Sequence, residues 1–338
     1  MLRTMLSCLA ATLLASGAFA QASGSPTMDA IRAQGVLACG VSGTNPGFAF
    51  ADSRGEIVGS EADFCRAVAA AVLGDATKVR FVKLTSTNRF TALQSGEVDL
   101  LVRTATWALG REASLGLLFT GVTFYDGTGF LVHAASGVRS AKGLDGATIC
   151  VLPGTTTELA VTDYFRRHGM TFTPVLIDNV SELRSAFRSG RCDSYSTDAS
   201  ALASFRHSEG AAAEQLSLLP EVVSKEPLGP VVRKGDDKWF DAVRWIGFAM
   251  LAAEELDLTS GSVEAALASP NPDIRRLLGV DGELGRAMGL DNRWAFNVIR
   301  QVGNYAEVWD PSIAPLGIPR TQNQLWTRGG LHYAPPIR

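Results

Sequence analysis

The strongest constraint on this chain is a repeat within it. Ala92-Leu-Gln-Ser-Gly-Glu-Val-Asp99 returns as Ala186-Phe-Arg-Ser-Gly-Arg-Cys-Asp193. Each copy reads as the end of a helix, a glycine stop and an aspartate that opens a strand. A polar residue stands at the same spacing beyond each aspartate, Thr104 in one copy and Asp198 in the other. The beginnings of the two units match as well, Cys39-Gly-Val-Ser-Gly-Thr44 against Cys150-Val-Leu-Pro-Gly-Thr155. Each unit therefore reads as strand, Gly/Thr loop, helix, strand, helix, strand. Two such α/β units place two strand-end sites where they can face each other, and open α/β sheets bind ligands outside the carboxyl ends of their strands.

A length of 338 residues accommodates two domains. Hydrophobic residues make up 46% and charged residues 19%, enough apolar content for a packed core and too much for disorder. Lys+Arg 31 against Asp+Glu 34 gives −3, a balance that argues against nucleic-acid or membrane-surface binding. Residues 1–20 read as a secretory signal peptide: Arg3, an apolar run from Met5 to Leu14, and Ala18-Phe19-Ala20 before Gln21. The run is shorter than the roughly 20 residues of a membrane span. Loss of Arg3 with the leader leaves 30 basic against 34 acidic residues. An exported, soluble protein is expected.

Cys8 leaves with the leader, and Cys39, Cys65, Cys150 and Cys192 remain. An even count in an oxidising compartment suggests disulfides. The repeat pairs them within units, Cys39 with Cys65 and Cys150 with Cys192. Four free thiols are the alternative. Zinc is disfavoured because no pair has Cys-x-x-Cys spacing, so no metal is expected.

Periodicity predicts strands at Val36–Val41, Val79–Val82 and Leu100–Val102, with helices at Glu61–Leu73 and Asn88–Ser95. Phe124–Ala135 reads as an extended segment leaving the first unit, and Glu226–Arg233 as the return. A long amphipathic helix follows over Asp236–Leu256, with Trp239, Val243, Ile246 and Met250 on its core face. The aromatic, glycine-rich tail from Leu290 is expected to pack on the first unit.

Catalytic signals are weak. Neither Gly/Ser/Thr loop ends in Gly-Lys-Ser/Thr, and there is no Gly-x-Ser-x-Gly elbow. A binding constellation is better supported. Asp99–Arg111 runs from a strand into a polar loop holding Arg103, Thr104 and Thr106, with Arg111 one loop away. Guanidinium offers a planar fork that matches two carboxylate oxygens. Thr155 and Thr156 precede a helix over Thr157–Arg167, whose free N–H groups and positive dipole end suit the same carboxylate, although helix capping explains them too. Asp198 suits an α-ammonium, or caps the helix after it. A carboxylate on a cation and an ammonium on an acid together describe an α-amino acid.

On these residues the chain resembles the periplasmic amino-acid-binding proteins of ABC importers, solute-binding protein family 3, and most closely their general L-amino-acid-binding subfamily. The resemblance spans about Ala30 to Arg338. It is carried by Gly35-Val-Leu-Ala-Cys-Gly-Val41, Asp63-Phe-Cys-Arg-Ala-Val-Ala-Ala-Ala71, Arg103-Thr-Ala-Thr-Trp107 with Arg111, Pro153-Gly-Thr-Thr156, and Tyr333-Ala-Pro-Pro-Ile-Arg338. It implies an α/β type II periplasmic-binding-protein fold: two α/β lobes joined by two crossing strands. The division would be a signal peptide (1–20), lobe 1 (21–130 and 231–338, with a C-terminal extension) and lobe 2 (131–230).

The resemblance also implies delivery of polar L-amino acids, of the Glu/Gln/Asp/Asn class, to an inner-membrane ABC permease and its ATPase. A monomer without a cofactor is implied. By position, Arg111, Thr104, Thr106 and Thr156 match ligand-carboxylate residues and Asp198 the ammonium acid. Arg103 would reach a side-chain carboxylate. The first loop has Ser42 and Asn45 where relatives place an acid and an aromatic, leaving Phe48 as the nearest ring for the ligand. Two rivals remain: a periplasmic dehydratase of the cyclohexadienyl type on the same scaffold, with Glu158 as general acid, and a chemosensory module.

Overall fold

The computed structural model describes residues 23–338, so the leader read over 1–20 lies outside the described residues. Both copies of the repeat fold into the same unit. Helix α1 (Pro26–Gln34) leads into β1 (Leu37–Val41). Helix α2 (Ser60–Leu73) carries the chain to β2 (Val79–Lys83), and α3 (Arg89–Ser95) to β3 (Leu100–Leu101). Helix α4 (Leu109–Leu115) and β4 (Leu117–Phe119) follow. The chain then crosses through β5 (Phe124–Asp126) into β6 (Thr128–His133).

The second unit runs β7 (Thr148–Val151), α5 (Thr156–Arg167), β8 (Thr173–Leu176), α6 (Val180–Arg188), β9 (Ser194–Asp198), α7 (Ala199–Ser208) and β10 (Leu216–Leu218). It returns through β11 (Glu226–Leu228) to β12 (Val231–Arg233) and the long helix α8 (Asp237–Glu255).

The two five-stranded sheets have matching orders, β2-β1-β3-β12-β4 and β8-β7-β9-β6-β10. In each, the first three strands are parallel, and the fourth is an antiparallel strand next to a crossing. The repeat's aspartates explain part of this likeness. Asp99 accepts from the Ala38 amide at 2.9 Å and donates its own N–H to the Ala38 carbonyl at 2.8 Å. Asp193 does the same with Thr148, at 2.7 and 2.9 Å. The glycines before them, Gly96 and Gly190, close α3 and the turn after α6 at φ 82° and 76°, where a side chain would be strained.

Both faces of both sheets are covered, so β1 is buried along its whole length. The face of α8 that the spacing predicts, Trp239, Val243, Ile246 and Met250, lies in the first-lobe core. That core includes α9 (Trp294–Gln301), and α10 (Tyr305–Ser312) adds Val308 to it. The tail also grips the first crossing strand. Tyr125 donates to Asn323 at 2.7 Å and accepts from it at 3.1 Å, and the Tyr305 hydroxyl donates to the Thr123 carbonyl at 2.9 Å. Arg320 meets Glu254 through two nitrogens at 2.8 and 3.0 Å. Trp326 and Tyr333 stay exposed and pack on each other, so these two tail aromatics lie outside the core. No helix among the described residues is long and apolar enough to cross a membrane.

The crossing strands β5 and β11 pair antiparallel, with Asp126 opposite Glu226 and Phe124 opposite Leu228. Cys39 bonds Cys65 and Cys150 bonds Cys192, with Cα separations of 6.2 and 5.6 Å. Each bridge stays inside one lobe, which leaves the crossing free to bend. The closed loops, with sequence separations of 26 and 42 residues, correspond to about 3.5 and 4 kcal/mol of chain entropy. Replacing either pair by serines should lower the denaturant midpoint of unfolding, and the Cys150/Cys192 pair should matter slightly more. Unchanged midpoints in both double variants would contradict this.

Candidate functional site

The cleft between the lobes is built from strand ends. Beyond β3 the chain leaves the sheet, and Thr104 adopts φ 36°, rare for a residue with a side chain. Its N–H donates to the carboxylate of Glu61. Glu61 can be there because Gly59 precedes α2 as its N-cap, with φ 116°; a Cβ at Gly59 would sit 2.4 Å from the Phe48 carbonyl oxygen. The loop is then stitched to the crossing: Trp107 donates to the Pro227 carbonyl at 2.8 Å.

Three arginines of the first lobe converge here. Arg111, on α4, is buried and donates to the Thr106 carbonyl at 2.7 Å. Arg103 is buried too and donates to the Leu84 carbonyl at 2.7 Å and to Ser86 at 3.3 Å. Arg89 opens α3 and is 3% exposed, and its Nε has no hydrogen-bond partner. The guanidinium carbons of Arg89 and Arg111 lie 4.8 and 5.0 Å from the Phe90 ring centroid. Burial lowers all three pKa values, Arg103 to about 10. For Arg89 the repulsion of the other two arginines adds to it.

Carboxylates answer them from the crossing and the second lobe. Asp198 ends β9 at the N-terminus of α7 and makes no side-chain cap there, so its carboxyl is not committed to capping. Burial and then the charges of Asp126 and Glu226 push it well above the usual range, against the pull of Arg89 and Arg111. Asp126 is pushed up to about 6, first by loss of water. Glu226 accepts on one oxygen from Thr106 at 2.5 Å and from Thr156 at 2.7 Å, and these two hydroxyl oxygens are 3.1 Å apart. Thr106 belongs to the first lobe and Thr156 to the second, so the lobes meet here. They also meet at Thr87 and Asp178 (2.9 Å), at Arg184 and the Thr44 carbonyl (3.2 Å), and at Ser204 and the Pro46 carbonyl (2.8 Å).

Of the residues singled out in the sequence, Arg103, Thr106, Arg111, Thr156 and Asp198 border this cleft, while Thr104 is held by its backbone N–H on Glu61. Thr155 is spent on capping: it accepts from the Glu158 amide at 3.2 Å and donates to the Leu152 carbonyl at 2.8 Å. Glu158, the acid named for a dehydratase, accepts from the Gly154 amide at 3.0 Å in the same cap. Phe48 is a correction. Its ring packs edge-on against Phe124, 5.2 Å away, among Leu228, Trp309 and Ile313, because the crossing needs an apolar seat on the first lobe. Arg89, Glu61, Asp126 and Glu226 were missed. A cation in the first turn of a helix opposes the helix dipole, and that was the one signal pointing to Arg89.

Two lobes of matching topology, a paired two-strand crossing and a cleft of facing charges define the class of clamshell solute-binding proteins. The chain belongs to the bacterial extracellular solute-binding proteins, family 3, whose sequence profile matches residues 37–260. It is 50% identical over 323 residues to the glutamate/glutamine/aspartate/asparagine-binding protein BztA of Rhodobacter capsulatus, covering 94% of this chain and 95% of that one. It is 47% identical over 335 residues to the general L-amino acid-binding periplasmic protein AapJ of Rhizobium johnstonii, covering 98% and 97%. Among solved structures, a periplasmic binding protein from Brucella ovis with glutathione bound superposes with a TM-score of 0.90 at 46% identity, covering 92% of this chain and 99% of that one.

Glu61 yields a test of the site's electrostatics. Its second oxygen has no partner, and burial pushes its carboxyl from 4.5 up to about 8, against the Thr104 N–H and the charges of Arg103 and Arg89. Between those values the folded chain keeps a proton that the unfolded chain has released. The group's contribution to stability is therefore full below 4.5 and lost as pH rises to about 8. Glu61→Gln, which imitates the protonated carboxyl, should flatten the pH dependence of unfolding over that window relative to the parent. Equal slopes in the two proteins would contradict the burial argument.

Proposed function

We propose that this protein is the periplasmic solute-binding component of an amino-acid ABC importer and that it closes its two lobes on a polar L-amino acid. One observation carries the reading: three buried arginines on one lobe face Asp198 on the other, with Thr106 and Thr156 meeting between them. A zwitterion fits that polarity. Its α-carboxylate lies against Arg111, Thr106 and Thr156, and its α-ammonium against Asp198. Arg89 and Arg103 are left for a side-chain carboxylate or amide, which favours Glu, Gln, Asp and Asn. The names of BztA and AapJ support this ligand class.

The leader at residues 1–20 carries the chain to the periplasm, and the closed form delivers to the membrane permease with its ATPase. The protein acts as a binding protein and not as an enzyme, a reading that its relatives' names support; Glu158, the acid a dehydratase would need, accepts from the Gly154 amide in a local helix cap. A second ligand reading is a γ-glutamyl peptide, favoured by the glutathione bound in the Brucella ovis relative. Such a ligand offers the same α-amino-acid end and a further carboxylate.

Calorimetric titration of the mature protein, stripped of ligand by unfolding and refolding, should show one-to-one binding of several of these amino acids. Silence across the twenty L-amino acids and glutathione, from folded protein, would defeat the reading. Arg111→Ala should weaken binding of every ligand by roughly 100-fold or more, since a buried bidentate charge-assisted pair is lost. Arg89→Met should weaken L-glutamate more than L-asparagine, and an equal loss for both would remove Arg89 from the side-chain pocket.

A further inference from the structure

Glu226 holds the hydroxyls that the amino-acid reading needs for its ligand. It is 2% exposed on crossing strand β11, opposite Asp126. One carboxylate oxygen accepts from Thr106 and Thr156, and the other from Ser224 at 2.6 Å and Thr128 at 3.4 Å. A threonine hydroxyl has one proton to give. While Glu226 takes both, a ligand carboxylate can receive neither. Arg111 faces this carboxylate too: Glu226 is the leading charge that supports its protonated form. A carboxylate held by one hydroxyl from each lobe and by the charge of Arg111 has the environment assigned above to the α-carboxylate of a ligand.

We propose that Glu226 is a resident carboxylate that competes with the ligand for Thr106 and Thr156 and ties the two lobes together until a ligand displaces it. The inference rests on the amino-acid reading. A group tethered on the hinge competes at a high effective concentration, on the order of millimolar, whatever the solute level outside. Apparent affinity then falls by the fraction of molecules in which the donors are free. A bare carboxylate replaces Glu226 like for like and gains little. A ligand that also reaches Asp198 and Arg89 gains contacts that Glu226 does not make. Glu226 would thus lower the apparent affinity of every carboxylate by the same factor, a loss that only a ligand with those extra contacts offsets.

The test uses L-glutamate and glutarate, which share two carboxylates and differ in the ammonium. Both are titrated into the mature parent, Glu226→Gln and Glu226→Ala. The radius of gyration without ligand is measured for each by small-angle scattering. Both variants should bind both ligands more tightly, by about tenfold. The gain should be the same factor for both ligands, leaving the ratio of their affinities unchanged, and the variants should be more extended without ligand. Weaker L-glutamate with unchanged glutarate would make Glu226 an ammonium partner and overturn the proposal; unchanged affinities would make it a bystander. If the parent binds no amino acid, the functional reading fails separately. The scattering comparison still decides the tie between the lobes: an unchanged radius in both variants would sink it.

Discussion

Everything in the cleft depends on a mutual dependence of buried charges. Arg89, Arg103 and Arg111 are packed within one lobe where burial works against each cation. Asp126, Asp198 and Glu226 are gathered at the crossing and the second lobe, where burial raises Asp126 and Asp198. Neither set is comfortable alone. Isolated buried charges are costly, and what relieves them is an opposite charge held at close range. The lobes supply part of that relief when they meet, and a zwitterion between them supplies more. A cleft of this polarity suits molecules that carry both signs.

The scaffold keeps this arrangement movable. Each sheet is pinned internally, by the aspartate that opens its third strand and by a disulfide that stays within its lobe. Among the described residues the lobes are joined by β5 and β11, paired over three residues in each. The C-terminal extension holds one side of that crossing through Asn323 and Tyr305, and Phe48 seats the other elements of the first lobe against Phe124. The ribbon that joins the lobes is therefore short, and it carries Asp126 and Glu226. Hinge closure of this kind needs a few element-terminal residues to absorb the motion. Here the ribbon that bends also contributes to the chemistry of the cleft.

The sequence disclosed the fold through its repeat, because a repeated helix end, glycine and aspartate is a local pattern with a local cause. It placed Asp198 beyond a strand-opening aspartate for the same reason, and Thr106, Arg111 and Thr156 in or beside the loops that follow strands. What it hid was long-range. Glu61 reaches Thr104 across more than a helix and two strands, and Asp126 meets Glu226 only after the whole second lobe has folded between them. Glu226 read as backbone of a return strand, since nothing beside it in sequence reveals its hydroxyl partners. Phe48 was misplaced for a related reason: the ring nearest the first loop in sequence had the crossing to pack against. Thr155 kept the bland role of a helix cap, while its neighbour Thr156 faces the cleft.

The measurement that tests the central claim most directly is a crystal structure of the mature protein grown with L-glutamate. The account predicts the α-carboxylate at Arg111, Thr106 and Thr156, the ammonium at Asp198, and the side-chain carboxylate within reach of Arg89 or Arg103. It also predicts Glu226 turned away from both threonines. Ligand bound elsewhere, or bound in the cleft in the opposite sense with its ammonium toward the arginines, would contradict it.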